Sequence, residues 1–138
     1  MSRLRLLLLA LCSSLLATPV AGQGFTEYQL KAGVLYNFIA FTTWPDAAPP
    51  VLNVCIYGPD PFGREIDVLQ GRKLASSSLA IRRASSVEAL AACHVVFIAQ
   101  PAIGNLPRVL EHIGNRPVLT VADVPGGGTR GIVLNMEM

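Results

Sequence analysis

Hydrophobic and polar positions change rhythm several times along this chain, and each change marks a predicted element. From Thr26 to Pro45, TEYQLKAGVLYNFIAFTTWP repeats apolar residues at helical spacing, with Tyr28, Ala32, Leu35 and Ile39 in one row and Leu30, Val34, Phe38 and Phe41 in another. Thr26 and Gln29 stand at capping-box spacing, Phe25 and Leu30 flank the start as a hydrophobic staple, and Glu27 and Lys31 form an i,i+4 pair in the favourable order. So little polar face remains that the helix is expected to be mostly buried. Pro45 biases Trp44 away from the helical region and so ends the helix just before it.

After the short connector Pro45 to Pro50, strand and helix patterns alternate. Leu52 to Tyr57 is an apolar, β-branched run stopped by Gly58. Asp60 and Pro61 then open a helix with the stripe Phe62, Ile66 and Leu69, which Gly71 ends with Arg72 and Lys73 near its negative pole. Leu79 to Ile81 offers a weaker strand. Ser85 and Glu88 repeat the capping-box spacing and predict a short helix through Leu90. The clearest strand is His94 to Ala99, HVVFIA. Leu106, Val109, Leu110 and Ile113 give another helical stripe, stopped by Gly114, and strands follow at Val118 to Ala122 and Ile132 to Leu134. This alternation predicts one compact α/β domain with a mainly parallel central sheet covered by helices on both faces. In such a sheet the carboxyl ends of the strands line any crevice, which here means Gly58 to Asp60, Gln100 and Asp123. Each of these is also ordinary turn or cap chemistry.

The amino-terminal pattern is of another kind. Arg3 and Arg5 supply a basic start to the apolar run from Leu4 to Leu16, which beyond Arg5 is broken only by Cys12, Ser13 and Ser14, and Val20, Ala21 and Gly22 are small residues suited to signal peptidase. Residues 1–22 therefore read as a cleavable export signal that delivers the domain 23–138 to the periplasm. The uninterrupted run is shorter than the ~20 residues a membrane helix needs. Cys12 follows Leu11 inside the apolar core, which argues against lipidation. Because Arg3 and Arg5 belong to this segment, the formal net charge of +2 falls to zero once it is removed. Arg82 and Arg83 lack an aromatic platform and read as a solvated strand end, so no nucleic-acid face is expected.

Catalytic and metal-binding patterns are weak. Gly126 to Gly128 is followed by no Lys-Ser or Lys-Thr and opens no helix, so it reads as a turn rather than a phosphate loop. Cys93 and His94 are adjacent, which on a strand points them to opposite faces and argues against a nucleophile pair. His112 sits in the last turn of its helix, where the dipole accounts for it. The soft ligands lack zinc spacing, and no cofactor is implied. An enzyme would need Asp123, His94 and Gln100 gathered in one pocket. The two cysteines beyond the signal, Cys55 and Cys93, read first as a disulfide in an oxidising compartment. Neighbouring strands lie about 4.8 Å apart, which permits the bond if these two strands are adjacent; two buried thiols are the alternative.

EYQLKAGVLYNFIAFTTWP, NVCIYGPDPFG, CHVVFIA, LTVAD and GIVLN occur in that order, and together they resemble the YfiR-like family of bacterial periplasmic proteins. The resemblance implies a compact α/β fold, frequently a homodimer, without known catalytic activity. It further implies repression of an inner-membrane diguanylate cyclase through the cyclase's periplasmic sensor domain, lowering cyclic di-GMP and biofilm formation. Cys55 and Cys93 match the family's disulfide positions, with redox control as part of that picture. Similar proteins continue past the GIVLN motif through further strand and a terminal helix, whereas this chain stops at Met138. A natural short form and a truncated domain both remain open. A periplasmic small-molecule binding module is the alternative function, with no ligand-binding residues assigned.

Overall fold

Residues 24–136 are described by the structure, a computed structural model. The export signal read at residues 1–22 lies outside them. The chain forms helix α1 (Glu27–Phe41), strands β1 (Val51–Tyr57), β2 (Lys73–Leu74), β3 (Ser77–Ala84) and β4 (Val95–Ile98), helix α2 (Leu106–Ile113), and strands β5 (Leu119–Ala122) and β6 (Leu134–Asn135). One six-stranded sheet results, in the order β2-β3-β1-β4-β5-β6. All neighbours are parallel except the β2–β3 pair, so the sheet is mixed and mostly parallel. The chain starts at the centre, winds outward to β3, then returns across β1 to lay down β4, β5 and β6. The direction of winding therefore reverses between β1 and β4.

Alternation along β1 divides the interior. Leu52, Val54 and Ile56 join a cluster with Leu35 and Ile39 of α1 and with Ile66 and Leu69, while Cys55 and Tyr57 join a second cluster with Leu90, Val109 and Ile113. Successive strand residues point to opposite faces, so one strand serves both clusters. Phe97 and Ile98 of β4 are fully buried in the same divided manner. Full burial of such side chains contributes roughly 1.5–3 kcal/mol each.

The start of α1 follows its local chemistry. Thr26 Oγ1 accepts from the Gln29 amide at 3.2 Å, and Gln29 Oε1 accepts from the Thr26 amide at 2.9 Å. The helix ends at Phe41, earlier than Pro45 alone would require, where Thr42 turns extended and its hydroxyl donates to the Phe38 carbonyl. Its burial differs from expectation. Only Lys31, Ala32, Leu35 and Ile39 are buried, and Leu30 and Phe41 are 48% and 87% exposed. An all-round apolar helix needs neighbours on every side to be buried, and α1 meets the sheet on one side.

The helices expected after Asp60 and Ser85 are short 3-10 segments, Gly63–Leu69 and Glu88–Ala92. Gly63 lies at φ +55°, which breaks regular α geometry immediately after the Asp60–Pro61 start. Ser86, not Ser85, caps the second segment by accepting from the Ala89 amide at 3.3 Å. Two of the elements expected as α-helices are thus short 3-10 segments of seven and five residues. Strand β3 runs eight residues instead of three, and β2 pairs with it through a tight turn at Ala75, φ 54°, a hairpin without a sequence signal.

Candidate functional site

At the carboxyl ends of the strands, where open α/β sheets generally take ligands, the carboxylates of Asp60 and Asp123 are paired within the chain. Gly58 adopts φ +91°, and a Cβ there would lie 2.5 Å from Ala102 Cβ, so only glycine fits. Asp60 accepts from the Phe62 amide at 2.8 Å and from Arg83 Nε at 2.9 Å. Arg83 also reaches Asp67 and the Gly63 carbonyl, so it is a bracing residue rather than a free strand end. These carboxylates hold its pKa above the usual value. Gln100 is exposed and opens the 3-10 segment Gln100–Asn105.

Asp123, at the end of β5, is tied into α1. Lys31 Nζ lies 2.9 Å from Asp123 Oδ2 and also bonds Glu27, and the Lys31 and Asp123 side chains are each only 6% exposed. The Tyr28 hydroxyl donates to the same Asp123 oxygen at 3.4 Å, and its ring lies 4.9 Å from the ammonium. Burial alone would lower the Lys31 pKa, but the bonds to Glu27 and Asp123 outweigh it and the net shift is upward. Burial, reinforced by the Asp123 charge, raises the Tyr28 phenol. This lysine is held as a cation, the opposite of what amine nucleophilic chemistry requires.

The amino end of β4, against the middle of β1, is arranged differently. Cys55 lies on β1 and Cys93 just before the adjacent β4, their Cα atoms are 6.0 Å apart, and the two are joined by a disulfide. Next to it, His94 is built into the ladder: its amide donates to the Asn53 carbonyl at 3.0 Å, and its ring Nδ1 accepts from the Asn53 amide at 2.9 Å. The ring stands edge-on to Trp44, with centroids 6.4 Å apart. Burial first, and the Arg116 charge second, lower the His94 pKa. Arg116 precedes β5, and its Nη1 donates to the Ala91 carbonyl at 2.7 Å.

His94 and Asp123 therefore sit at opposite ends of the sheet, and with Gln100 exposed the three do not form one pocket. Among the described residues no group of three His, Cys, Asp or Glu side chains is placed to hold a metal ion. Two arrangements went unread in the sequence. The Lys31–Asp123 pair spans 92 positions, and its one signal is a lysine inside a helix with almost no polar face. Arg116 beside His94 carries no signal at all.

The outward side of α1 supplies a surface. At about 100° per residue Leu30 and Phe41 fall within an arc of about 20°, opposite the buried Leu35 and Ile39, while Val34 between them is partly buried against the core. Phe25, before the helix, and Val68 are also exposed. Exposed apolar side chains that gather into one patch mark interaction surfaces.

Compared with known families, residues 28–138 match the family model described as YfiR/HmsC-like. No curated protein matches the chain.

Proposed function

Because the chain belongs to the YfiR/HmsC-like family, we propose that it is a periplasmic regulatory binding protein that represses an inner-membrane diguanylate cyclase through the cyclase's periplasmic sensor domain and so lowers cyclic di-GMP. The observation that carries this reading is the span of the match, which takes in nearly all of α1, the whole sheet and both cysteines. A disulfide between Cys55 and Cys93 fits an oxidising compartment. Residues 1–22 act as the export signal, and the mature chain starts near Gln23, which mass spectrometry of the exported product checks.

Repression proceeds by binding rather than turnover. The outward face of α1, with Leu30 and Phe41, is the contact surface, and affinity rests on apolar complementarity because the mature chain carries no net charge to steer a partner. Binding represses only if the active and inactive arrangements of the sensor domain have different affinities for this surface. The alternative reading, a small-molecule module at the strand carboxyl ends, is weakened by the pairing of Asp60 and Asp123 within the chain.

Co-expression with inner-membrane diguanylate cyclases of the same organism tests the proposal. The wild type is expected to lower cyclic di-GMP and to co-purify with the cyclase. The double variant Leu30→Glu/Phe41→Glu should melt like the wild type, since both positions are exposed, yet fail to repress. Unchanged nucleotide levels with the wild type, together with no co-purification, overturn the reading. Sedimentation of the protein alone over a range of concentrations decides whether a homodimer, the other partner the family implies, forms.

A further inference from the structure

At the root of β4 an imidazole stands where the ladder would otherwise use a backbone carbonyl. The His94 amide donates to the Asn53 carbonyl at 3.0 Å, and the Asn53 amide in turn donates to His94 Nδ1 at 2.9 Å rather than to main chain. A carbonyl oxygen accepts at any pH, whereas Nδ1 accepts only while it carries no proton. We infer that His94 is an acid-sensitive latch: a proton on Nδ1 turns the acceptor into a donor, releases the Asn53 amide and loosens residues 91–94, exposing the Cys55–Cys93 bridge.

Asn53 is the hub of the latch. Besides its two backbone bonds to His94, its Nδ2 donates to the Ala92 carbonyl at 2.9 Å and its Oδ1 accepts from Arg82 Nε of β3 at 3.0 Å. Arg116 Nη1 braces the same segment through the Ala91 carbonyl. Val95 to Ile98 are fully buried, which confines an opening to the root of the strand. Cys93 lies within that root. The bridge is sealed in the closed form, with Cys55 and Cys93 only 1% and 3% exposed.

Nothing around the ring stabilises an imidazolium while the latch is closed. Arg116, from the segment before β5, is the charged group that acts on it, and Arg82 stands behind Asn53 on β3. The connector before β1 contributes the edge of Trp44, and no carboxylate lines the small cavity that His94 and Arg116 share. His94 is already partly exposed, so a small opening hydrates the ring. Burial first and Arg116 second lower the pKa of the closed ring, so the open form takes up a proton that the closed form refuses. Between the ordinary value of about 6.5 and the folded value, each unit of falling pH therefore favours opening by up to about tenfold.

Hydrogen exchange on the purified, oxidised protein from about pH 7.5 to 5, corrected for the intrinsic pH dependence of exchange, tests the latch. Protection of the Asn53 and His94 amides should fall by up to about tenfold per pH unit below about 6.5, with both less protected than Phe97 and Val121 in the middle of the sheet. His94→Asn offers a side-chain carbonyl that accepts but cannot be protonated, and the same two amides should then keep their protection in acid. A water-soluble phosphine probes the bridge, taking an oxygen from water to become the phosphine oxide while the two sulfurs leave as thiols. Its rate with the wild type, relative to its rate with oxidised glutathione at the same pH, should rise as pH falls and stay level in His94→Asn. Latch amides in the wild type whose protection is independent of pH, or equal to that of Phe97 and Val121 throughout, overturn the inference. So does an equal acid response in His94→Asn. A relative reduction rate that does not change with pH overturns the exposure of the bridge, and the wild-type measurements decide both points even where the variant does not fold.

Discussion

The two ends of the sheet are built on opposite terms. At the carboxyl ends, charged groups meet partners from elsewhere in the chain: Asp123 with Lys31 and Tyr28, Asp60 with Arg83 and the Phe62 amide. At the amino ends, a covalent bridge holds β1 to the start of β4, and beside it a neutral histidine and an arginine with one unpartnered nitrogen line a cavity. The general rule for open α/β sheets directs attention to the carboxyl ends. Here the carboxylates at that end are paired within the chain, and Arg116 Nη2, without a hydrogen-bond partner among the described residues, lies at the other. A fold-level rule says where a crevice can form; which groups remain free depends on the individual side chains.

The largest effect should come from breaking the carboxyl-end pairing. Lys31→Met leaves Asp123 buried without its cation, and removal of one partner from a buried pair costs about 3–5 kcal/mol. Adding Asp123→Leu should recover most of that loss, read by urea unfolding of the single and double variants. A single variant as stable as the wild type would show that the pair is not buried in solution.

Next in size is the bridge at the other end. Its cysteines are 38 positions apart, and on the chain-entropy model the closed loop corresponds to about 3–4 kcal/mol. Cys55→Ala/Cys93→Ala should lose about that much, and a reducing agent should then leave the variant unaffected while destabilising the wild type. Equal stability of the oxidised wild type and the variant would remove the bridge from this comparison.

Asp60→Ala is a smaller probe of the carboxyl end. It removes the acceptor for the Phe62 amide and one carboxylate from a partly exposed Arg83, which should cost about 1 kcal/mol. The thermal midpoint measures it.

The smallest effect concerns pH and separates the two ends by sign. The folded His94 pKa lies below its ordinary value of about 6.5, so the folded protein favours the neutral ring. That contribution is present above about pH 6.5 and is lost as pH falls from there through the folded value, because the unfolded chain takes up the proton first. Lys31 behaves oppositely: its pKa is raised, so its contribution is complete below about 10.5 and is lost only in strong alkali. His94→Asn should flatten the acid side of the stability profile and leave the alkaline side unchanged. An unaltered acid limb would show that His94 does not titrate with folding.

The sequence by itself determined the elements whose signals are local. Thr26 and Gln29 cap α1 as their spacing requires, the runs around Val54 to Tyr57, Val95 to Ile98 and Leu119 to Ala122 are strands, and Gly114 stops α2. These follow from periodicity and cap chemistry, which act over a few residues. The choice between α-helix and 3-10 segment did not follow, because Phe62, Ile66 and Leu69 have α spacing while Gly63 at positive φ interrupts α geometry just after the predicted start. The tertiary structure alone decided which apolar row of α1 faces inward. Leu30 and Leu35 are equally apolar, and only the position of the helix against the sheet buries one and exposes the other. It alone decided the partners as well: Lys31 meets Asp123, Asn53 meets His94, and Cys55 lies within reach of Cys93 because the strand order places β1 beside β4 and β4 beside β5. Contacts between residues tens of positions apart depend on that order, and no periodicity along the chain records it.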